Sequence, residues 1–288
     1  MSPRALCLAL AIAAVAAVPA RADGAGGGAL YLAAGLSGVT VPGSPVRYTT
    51  TAVGRNTMLL RLLRDGGVLT SYRELHGRLY VPAVAMDGTA GGLSADGRLL
   101  VLIELVRRFP VRSTRLALVD GSTLHVVRIA LRGEWGFDAV SPDGMSLYLT
   151  QYPDPNDPQH YAVRRYDVPH HRVVPGAIVD RRAPDERMGG QPITRLASPD
   201  GRWAYTLYDG GQSGTPFVHA LDTVRARSFC IDLDDLSGYP DLYSIRLARH
   251  GNAIDVSNHG EDLATVDTRT FTSAKPVVTD WFPHDVWA

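Results

Sequence analysis

The sequence predicts an all-β fold of about five repeated four-stranded units, and two recurring landmarks carry this prediction. The first is an Asp-Gly turn between apolar runs, in "LSADGRLLVLIE", "VSPDGMSLYLTQY" and "ASPDGRWAYTLYD", with a degenerate copy in "LARHGNAIDVSN". The second is an Asp that ends one apolar run and opens another turn, as in "LALVDGSTLHVV" and "HALDTVRARSF". Both landmarks recur together about every 50 residues, which is the period of a repeat architecture.

The third copy shows how each unit is predicted to fold. Phe137–Ser141 is the first strand (A), and Asp143-Gly144 closes a tight hairpin to the second strand (B), Ser146–Tyr152. His160–Tyr166 is the third strand (C), and Arg172–Val179 is the fourth (D). Apolar and polar residues alternate only partly, as expected for sheets packed on both faces.

Four strands per unit and a period near 50 residues indicate a β-propeller, whose sheets are called blades. One such sheet cannot bury both faces, so the blades form a single domain, predicted over residues 23–280. The first blade is marked only by Asp65, which leaves six blades as an alternative to five. Two segments are candidates to close the ring: residues 29–36, "ALYLAAGL", and the tail 281–288, within "DWFPHDVWA".

The N-terminus has the pattern of a secretory signal peptide. Arg4 supplies a positive start, Ala5–Val18 is almost wholly apolar, and Ala20-Arg21-Ala22 fits a small-x-small cleavage site. Residues 1–22 are therefore predicted to be removed, giving an exported chain without a lipid anchor. No later stretch reaches the ~20 apolar residues of a membrane-spanning helix.

Composition excludes several classes of partner and chemistry. Acidic and basic residues balance at 29 each, and loss of the signal peptide removes two arginines, so nothing favours nucleic acid or an anionic membrane. Cys230 is the single cysteine outside the signal peptide, which precludes an internal disulfide. The sequence lacks G-x-S-x-G, S-x-x-K and H-E-x-x-H motifs, so no catalytic residue is assigned.

Two motifs also resemble known propeller repeats. "SPDGMSLYL" and "SPDGRWAYTLY" are similar to TolB-like and WD40-like repeats, and "ALDTVRA" and "TVDTRTF" resemble the Asp-Thr turn of YVTN-type repeats. The chain further resembles uncharacterised exported actinobacterial propellers, in keeping with its preference for arginine over lysine. The resemblance covers about residues 92–278 and implies a propeller fold, without implying one activity.

The connections differ in length between the two ends of the blades. The A–B and C–D turns are short, whereas several B–C and D–A connections are long, among them Arg107–Arg112, Pro153–Gln159 and Asp180–Gln191. Loops that drift harmlessly could also lengthen, but drift does not choose one face. Insertions on one face of a repeat protein usually mark its binding face.

We therefore expect a non-enzymatic binding protein that takes a protein, glycan or small molecule on the long-loop face. The ligand-binding residues are predicted to be Trp135, Tyr152, Asp157, Arg182, Asp185, Asp209 and Tyr239. No cofactor or metal is required by this function. The alternative is a metal-assisted, lactonase-like hydrolase or lyase, which needs acids or histidines converging on a divalent metal at the channel mouth. Separately from a metal site, His160, His219 and His259 with nearby Asp residues are candidates for a catalytic triad.

Overall fold

The computed structural model describes residues 33–34, 37–65, 67–105, 110–154, 156–157, 160–185, 188–211, 214–234, 236, 240–248 and 251–275. Within them the chain forms five four-stranded antiparallel sheets in sequence order. Blade 1 contains β1 (Val39–Thr40), β2 (Val46–Val53), β3 (Asn56–Leu63) and β4 (Leu69–Leu75). Blade 2 contains β5 (Leu79–Tyr80), β6 (Leu99–Glu104), β7 (Ser113–Asp120) and β8 (Val126–Arg132). Blade 3 contains β9 (Glu134–Val140), β10 (Ser146–Tyr152), β11 (Ala162–Asp167) and β12 (Arg172–Val173). Blade 4 contains β13 (Pro192–Ala197), β14 (Trp203–Tyr208), β15 (Phe217–Asp222) and β16 (Arg227–Asp232). A short 3₁₀ turn, Pro240–Leu242, precedes blade 5, which contains β17 (Tyr243–Leu247), β18 (Ala253–Asn258), β19 (Glu261–Asp267) and β20 (Thr272–Ala274).

This architecture confirms the predicted all-β propeller of five blades. In blade 3 the predicted second strand matches β10, whereas β9 begins at Glu134, earlier than predicted, and β11 begins at Ala162 instead of His160. The predicted fourth strand ends early, at Val173, because Pro175 has no N–H to donate and Gly176 follows it in a left-handed conformation. The predicted signal peptide and C-terminal tail lie outside the described residues. No helix in the described ranges is long and apolar enough to span a membrane.

The repeated Asp-Gly turns are built by a local hydrogen-bond network. In blade 3, the Ser141 hydroxyl donates to Asp143 Oδ1 at 2.6 Å and accepts from the Ser146 N–H at 2.9 Å. Asp143 Oδ1 also accepts from the Met145 N–H at 3.0 Å. Ser94 with Asp96, and Ser198 with Asp200, repeat this arrangement in blades 2 and 4. The Ser-x-Asp-Gly motif therefore fixes the A–B hairpin from within.

The glycines of these turns cannot easily be replaced. As predicted, Gly144 and Gly201 have positive φ, at 72° and 70°. A Cβ atom on Gly144 would lie 2.8 Å from Leu99 Cβ, and one on Gly201 would lie 2.5 Å from Ala95 Cβ. Both contacts join blades, because Leu99 and Ala95 belong to blade 2. The two glycines thus serve turn geometry and inter-blade packing together.

We expect Gly144→Ala and Gly201→Ala each to lower the free energy of unfolding by at least about 1 kcal/mol, through positive-φ strain and loss of close packing. Urea unfolding of each variant measures this loss. Gly176→Ala is the matched control, since Gly176 has φ of 86° but nothing within 4 Å of a built Cβ, and its loss should be smaller. Unchanged stability of both turn variants would contradict the packing described here.

Apolar clusters join the blades in series. Buried side chains connect blades 1 and 2, blades 2 and 3, blades 3 and 4, and blades 4 and 5. The other face of blade 5 is polar: Arg246 pairs with Asp255 at 2.9 Å, and the Ser244 and Ser257 hydroxyls are 3.0 Å apart. Of the candidate closing segment 29–36, Ala33 bridges to Pro82 in blade 2, so this described part does not pair with blade 5.

A hairpin that the sequence did not predict crosses the central channel. It lies between β5 and β6, where the Gly91 N–H donates to the Pro82 carbonyl at 2.9 Å. At its tip, the Met86 N–H donates to Pro192 O at 2.8 Å on blade 4. We call residues 82–91 the channel hairpin. Because Pro192 begins β13 at the long-loop end, the hairpin crosses the channel there.

The remaining channel space lies toward the short-turn end. It is a cavity of about 530 Å³, lined by the channel hairpin, by inner-strand residues of blades 1, 3 and 4, and by parts of the A–B turns of blades 1, 2 and 4. We call it the channel cavity. The channel hairpin therefore restricts access to the channel axis from the long-loop end, and space for a ligand at that end lies between blades.

Candidate functional site

The long-loop end holds a cleft between blades 3 and 4, with a volume of about 410 Å³. Strand β11 forms one wall, and strands β15 and β16 form the other. The described parts of the β12–β13 connection, within 174–191, cover its outer side. The cleft is lined by His160, Tyr161, Ala162, Val163, Ile178, Val179, Asp180, Ala183, Pro184, Asp185, Met188, Gly189, Gly190, Gly210, Thr215, Phe217, Cys230 and Asp232. We call it the blade 3–4 cleft.

Backbone contacts hold the covering connection to both blades. The Ile178 N–H donates to Val163 O at 2.8 Å on blade 3, and Asp180 forms a parallel bridge with Ser228 on blade 4. Farther along, Met188 forms an antiparallel bridge with Tyr161. The chain after Pro175 thus leaves blade 3, reaches blade 4 and returns, which explains why so many residues separate β12 from β13.

Asp180 and Arg182 clamp this connection. Arg182 Nη2 lies 2.7 Å from Asp180 Oδ2, which also accepts from the Cys230 N–H at 2.8 Å. Arg182 donates further to Cys230 O at 2.9 Å and to Phe271 O at 3.0 Å. Burial opposes ionisation of Asp180, but the hydrogen bonds from Arg182 and Cys230 outweigh it and lower the pKa of the carboxyl. Arg182 therefore joins the cover to blades 4 and 5.

Close backbone packing shapes the inner rim. Asp209 Oδ1 accepts from the Gln191 N–H at 2.8 Å and from the Gly211 N–H at 2.9 Å. A Cβ atom on Gly190 would lie 2.4 Å from Asp209 Oδ1, and one on Gly210 would lie 2.0 Å from Thr215 O. Only glycine permits this approach, so the described glycines of the two loops pack into a compact wall.

The floor of the cleft is apolar and aromatic. Tyr161 is 7 % exposed, and its ring packs against Tyr152 and Tyr208 with centroids 5.4 and 6.2 Å apart. Phe217 stacks on Tyr208 with centroids 5.0 Å apart. Burial raises the pKa of Tyr161 well above its usual value, and its hydroxyl donates to Gly190 O at 3.2 Å. The floor offers flat aromatic surface with its polar atoms already paired.

The charged groups of the cleft are acidic or already paired. His160 Nδ1 lies 2.6 Å from Asp157 Oδ2, outside the aromatic floor. Asp185 and Asp232 line the rim, and both are exposed. Partial burial and then the nearby carboxylate of Asp234 raise the pKa of Asp232. The described lining contains neither arginine nor lysine.

Four of the predicted binding residues lie at or beside this cleft. Asp185 lines it, Asp157 pairs with the lining residue His160, and Tyr152 packs on Tyr161. Asp209 holds the inner rim through backbone N–H groups, which is a structural role.

The other three predicted residues do not line the cleft. Trp135 is 5 % exposed, packs between blades 2 and 3, and donates its indole N–H to Arg132 O at 2.9 Å. Arg182 is engaged by Asp180 and backbone carbonyls, as described above. Tyr239 lies outside the described residues. Trp135 was predicted from its position near a loop, but all residues of β9 except Val140 are buried, so alternation gave no sign of its environment.

Behind the floor lies a buried polar group that the sequence did not predict. Asp138 on β9 pairs with Arg195 on β13, and both side chains are almost fully buried. His219 on β15 is 0 % exposed, and neither of its ring nitrogens has a hydrogen-bond partner. Complete burial lowers the pKa of His219 to about 4. The sequence shows only a single histidine in an apolar strand, which does not indicate that its side chain is fully buried.

The described residues contain no group of three or more His, Cys, Asp or Glu side chains placed to hold a metal ion. Asp138, an acid of the channel wall, is committed to Arg195. Of the three histidines predicted for a triad, His160 pairs with Asp157, His219 is fully buried, and His259 is exposed between β18 and β19 of blade 5. The acid and histidine cluster expected of a lactonase-like site is therefore not found in the described part of the chain.

Comparison with solved structures identifies likenesses at low sequence identity. Hydrazine synthase from Kuenenia stuttgartiensis matches with a TM-score of 0.51 and 15 % identity over 85 % of this chain and 68 % of that chain. The β-propeller domain of Cps50 (Swd1) from Myceliophteria thermophila matches with a TM-score of 0.45 and 11 % identity, over 84 % of this chain and 66 % of that chain. An oligogalacturonate lyase in complex with manganese matches with a TM-score of 0.47 and 14 % identity, over 83 % of this chain and 63 % of that chain. This chain thus spans about two thirds of the proteins it resembles, and the likeness concerns the fold. No protein-family model matches the chain, and no curated protein matches it in sequence.

Proposed function

We propose that this protein is an exported, non-enzymatic propeller that binds a small molecule in the blade 3–4 cleft. The observation that carries the proposal is the cleft itself: about 410 Å³ of space over a buried aromatic floor, covered by a clamped connection. That volume lies within the range of small-molecule sites, roughly 300–1,000 Å³. Of the three partner classes considered, a small molecule fits such a cleft better than a flat protein surface or an extended glycan.

The fixed rim also favours binding without large rearrangement. The described parts of the connection 174–191 are bonded to both blades, and its glycines pack against Gly210 and Gly211. A ligand would therefore meet a pre-formed site, which reduces the entropy lost on binding. A lactonase-like hydrolase or lyase has less support, because its required cluster is not found among the described residues.

A cleft-filling substitution tests the proposed function. We expect Ala183→Phe, in the cover of the cleft, to reduce binding of fragment-sized ligands at least tenfold while preserving the fold, because the new ring occupies ligand space. Ligand-observed NMR with a fragment library gives the measurement. Val224→Phe is the control, since Val224 is 59 % exposed on a C–D turn at the opposite end. Fragments that bind wild type and Ala183→Phe equally would place the site elsewhere.

A further inference from the structure

The charged side chains that line the blade 3–4 cleft indicate which ligand charge the cleft favours. Three aspartates line the cleft: Asp180, Asp185 and Asp232. Arg182, in the connection that covers the cleft, directs its guanidinium to Asp180 and to the carbonyls of Cys230 and Phe271. The guanidinium pairs with Asp180 and partly offsets the charge of Asp232, but one cation does not balance three aspartates, so the described lining stays net negative.

The two rim carboxylates, Asp185 and Asp232, have no ion-pair partner among the described residues. Neither Asp185 nor Asp232 forms a side-chain hydrogen bond or ion pair with any residue that the structure describes. Asp234 adds a further negative charge beside Asp232. At neutral pH this rim attracts a cation and repels an anion, and because both carboxylates are exposed the attraction is strongest at low salt.

The interior of the cleft, unlike its acidic rim, favours an apolar part of the ligand. Tyr161, Val163, Ile178 and Phe217 provide an apolar floor, and the Tyr161 hydroxyl is already bonded to backbone carbonyls. His160 Nδ1 is held by Asp157. A ligand therefore gains mainly from apolar contact inside and from charge at the rim.

We propose that the small molecule bound by the blade 3–4 cleft is an amphipathic cation, an aromatic or aliphatic body that carries a protonated amine. This inference rests on the proposed function. Its body lies on the Tyr161–Phe217 floor, and its ammonium group lies at the rim beside Asp185 and Asp232. No covalent step is involved.

Three probes of nearly the same shape test the inference: 4-phenylbutylamine, 4-phenylbutan-1-ol and 4-phenylbutyrate. Each is titrated into the mature protein at pH 7 and low salt, with ¹H–¹⁵N chemical shifts used to locate binding. We expect the amine to bind at least tenfold more tightly than the alcohol and the carboxylate to bind most weakly. Each probe that binds in the cleft should change the chemical shifts of the backbone amides of Tyr161, Phe217 and Gly190.

Charge removal provides the matched comparison. Asp185→Asn combined with Asp232→Asn should bring the amine to the affinity of the alcohol while leaving the alcohol unchanged. Asp262→Asn removes an exposed charge from blade 5 and should leave the amine preference intact. Circular dichroism confirms that each variant is folded.

The possible results separate this inference from the proposed function. Equal cleft binding of amine and alcohol overturns the cationic ligand and leaves the cleft as a binding site. An amine preference that survives the double Asn variant overturns the assignment to Asp185 and Asp232. If no probe shifts any cleft residue, both the ligand class and the proposed function are wrong.

Discussion

Asp138→Leu is expected to lower the free energy of unfolding by about 3–5 kcal/mol, the usual cost of leaving one partner of a buried ion pair without the other. Asp138 accepts from Arg195 through its side chain and its carbonyl, and the two side chains are 3 % and 8 % exposed. Arg195 donates also to Thr206 Oγ1 at 2.7 Å. Without Asp138 the guanidinium remains buried between blades 3 and 4 with its charge uncompensated. Urea unfolding followed by tryptophan fluorescence measures the loss.

The double variant Asp138→Leu/Arg195→Met distinguishes charge from packing. Replacing both partners by apolar side chains removes the unpaired charge, so we expect most of the lost stability to return. A double variant less stable than the single one would show that the pair matters for shape and not for charge balance. A single variant within about 1 kcal/mol of wild type would mean that Asp138 and Arg195 are hydrated.

Stability is expected to fall by about 3 kcal/mol between pH 6.5 and pH 4 because of His219. The folded pKa of about 4 lies below the ordinary value of 6.5, so in this window the unfolded chain binds a proton that the folded chain does not. Each pH unit then costs about 1.4 kcal/mol of stability. The stability contributed by the neutral buried imidazole is complete above pH 6.5 and lost as pH falls to 4. Urea unfolding across this range measures the slope.

A substitution at His219 isolates this effect. His219→Leu should flatten the slope between pH 6.5 and 4, because it removes the titrating imidazole. The variant should still fold, since neither ring nitrogen of His219 has a hydrogen-bond partner to lose. Asp180 and Asp222, whose pKa values are lowered despite burial by hydrogen bonds from Arg182 and Arg202, act in a different window. Their contribution is lost only below about pH 4. The exposed His125 is the control, and His125→Gln should keep the wild-type slope. An unchanged slope in His219→Leu would contradict its burial.

The parts of the fold predicted from sequence are those fixed by local chemistry. The Asp-Gly turns could be predicted because Ser141, Asp143 and Gly144 satisfy the hairpin within a few residues. Strand β10 follows directly from that turn. The long connection after β12 was also visible from sequence, and it does cover the cleft. Its route over blade 4, however, depends on the pairing of Asp180 with Ser228.

The parts that sequence did not reveal depend on distant contacts. Backbone hydrogen bonds to the carbonyls of Pro192 and Ile193, about 100 residues later in the chain, hold the tip of the channel hairpin. Because these contacts are distant in sequence, no local pattern predicts the hairpin. The same reason explains Arg182, which looked like an exposed loop arginine but donates to the carbonyl of Phe271. Sequence therefore predicted the face of the candidate site, whereas its place between two blades came from the structure.

The most direct test of the central claim is a crystal structure of the protein soaked with 4-phenylbutylamine. We expect density for the phenyl ring over Tyr161 and Phe217, with the ammonium group beside Asp185 and Asp232. Density confined to the channel cavity, toward the short-turn end, would contradict the assignment of the blade 3–4 cleft as the binding site.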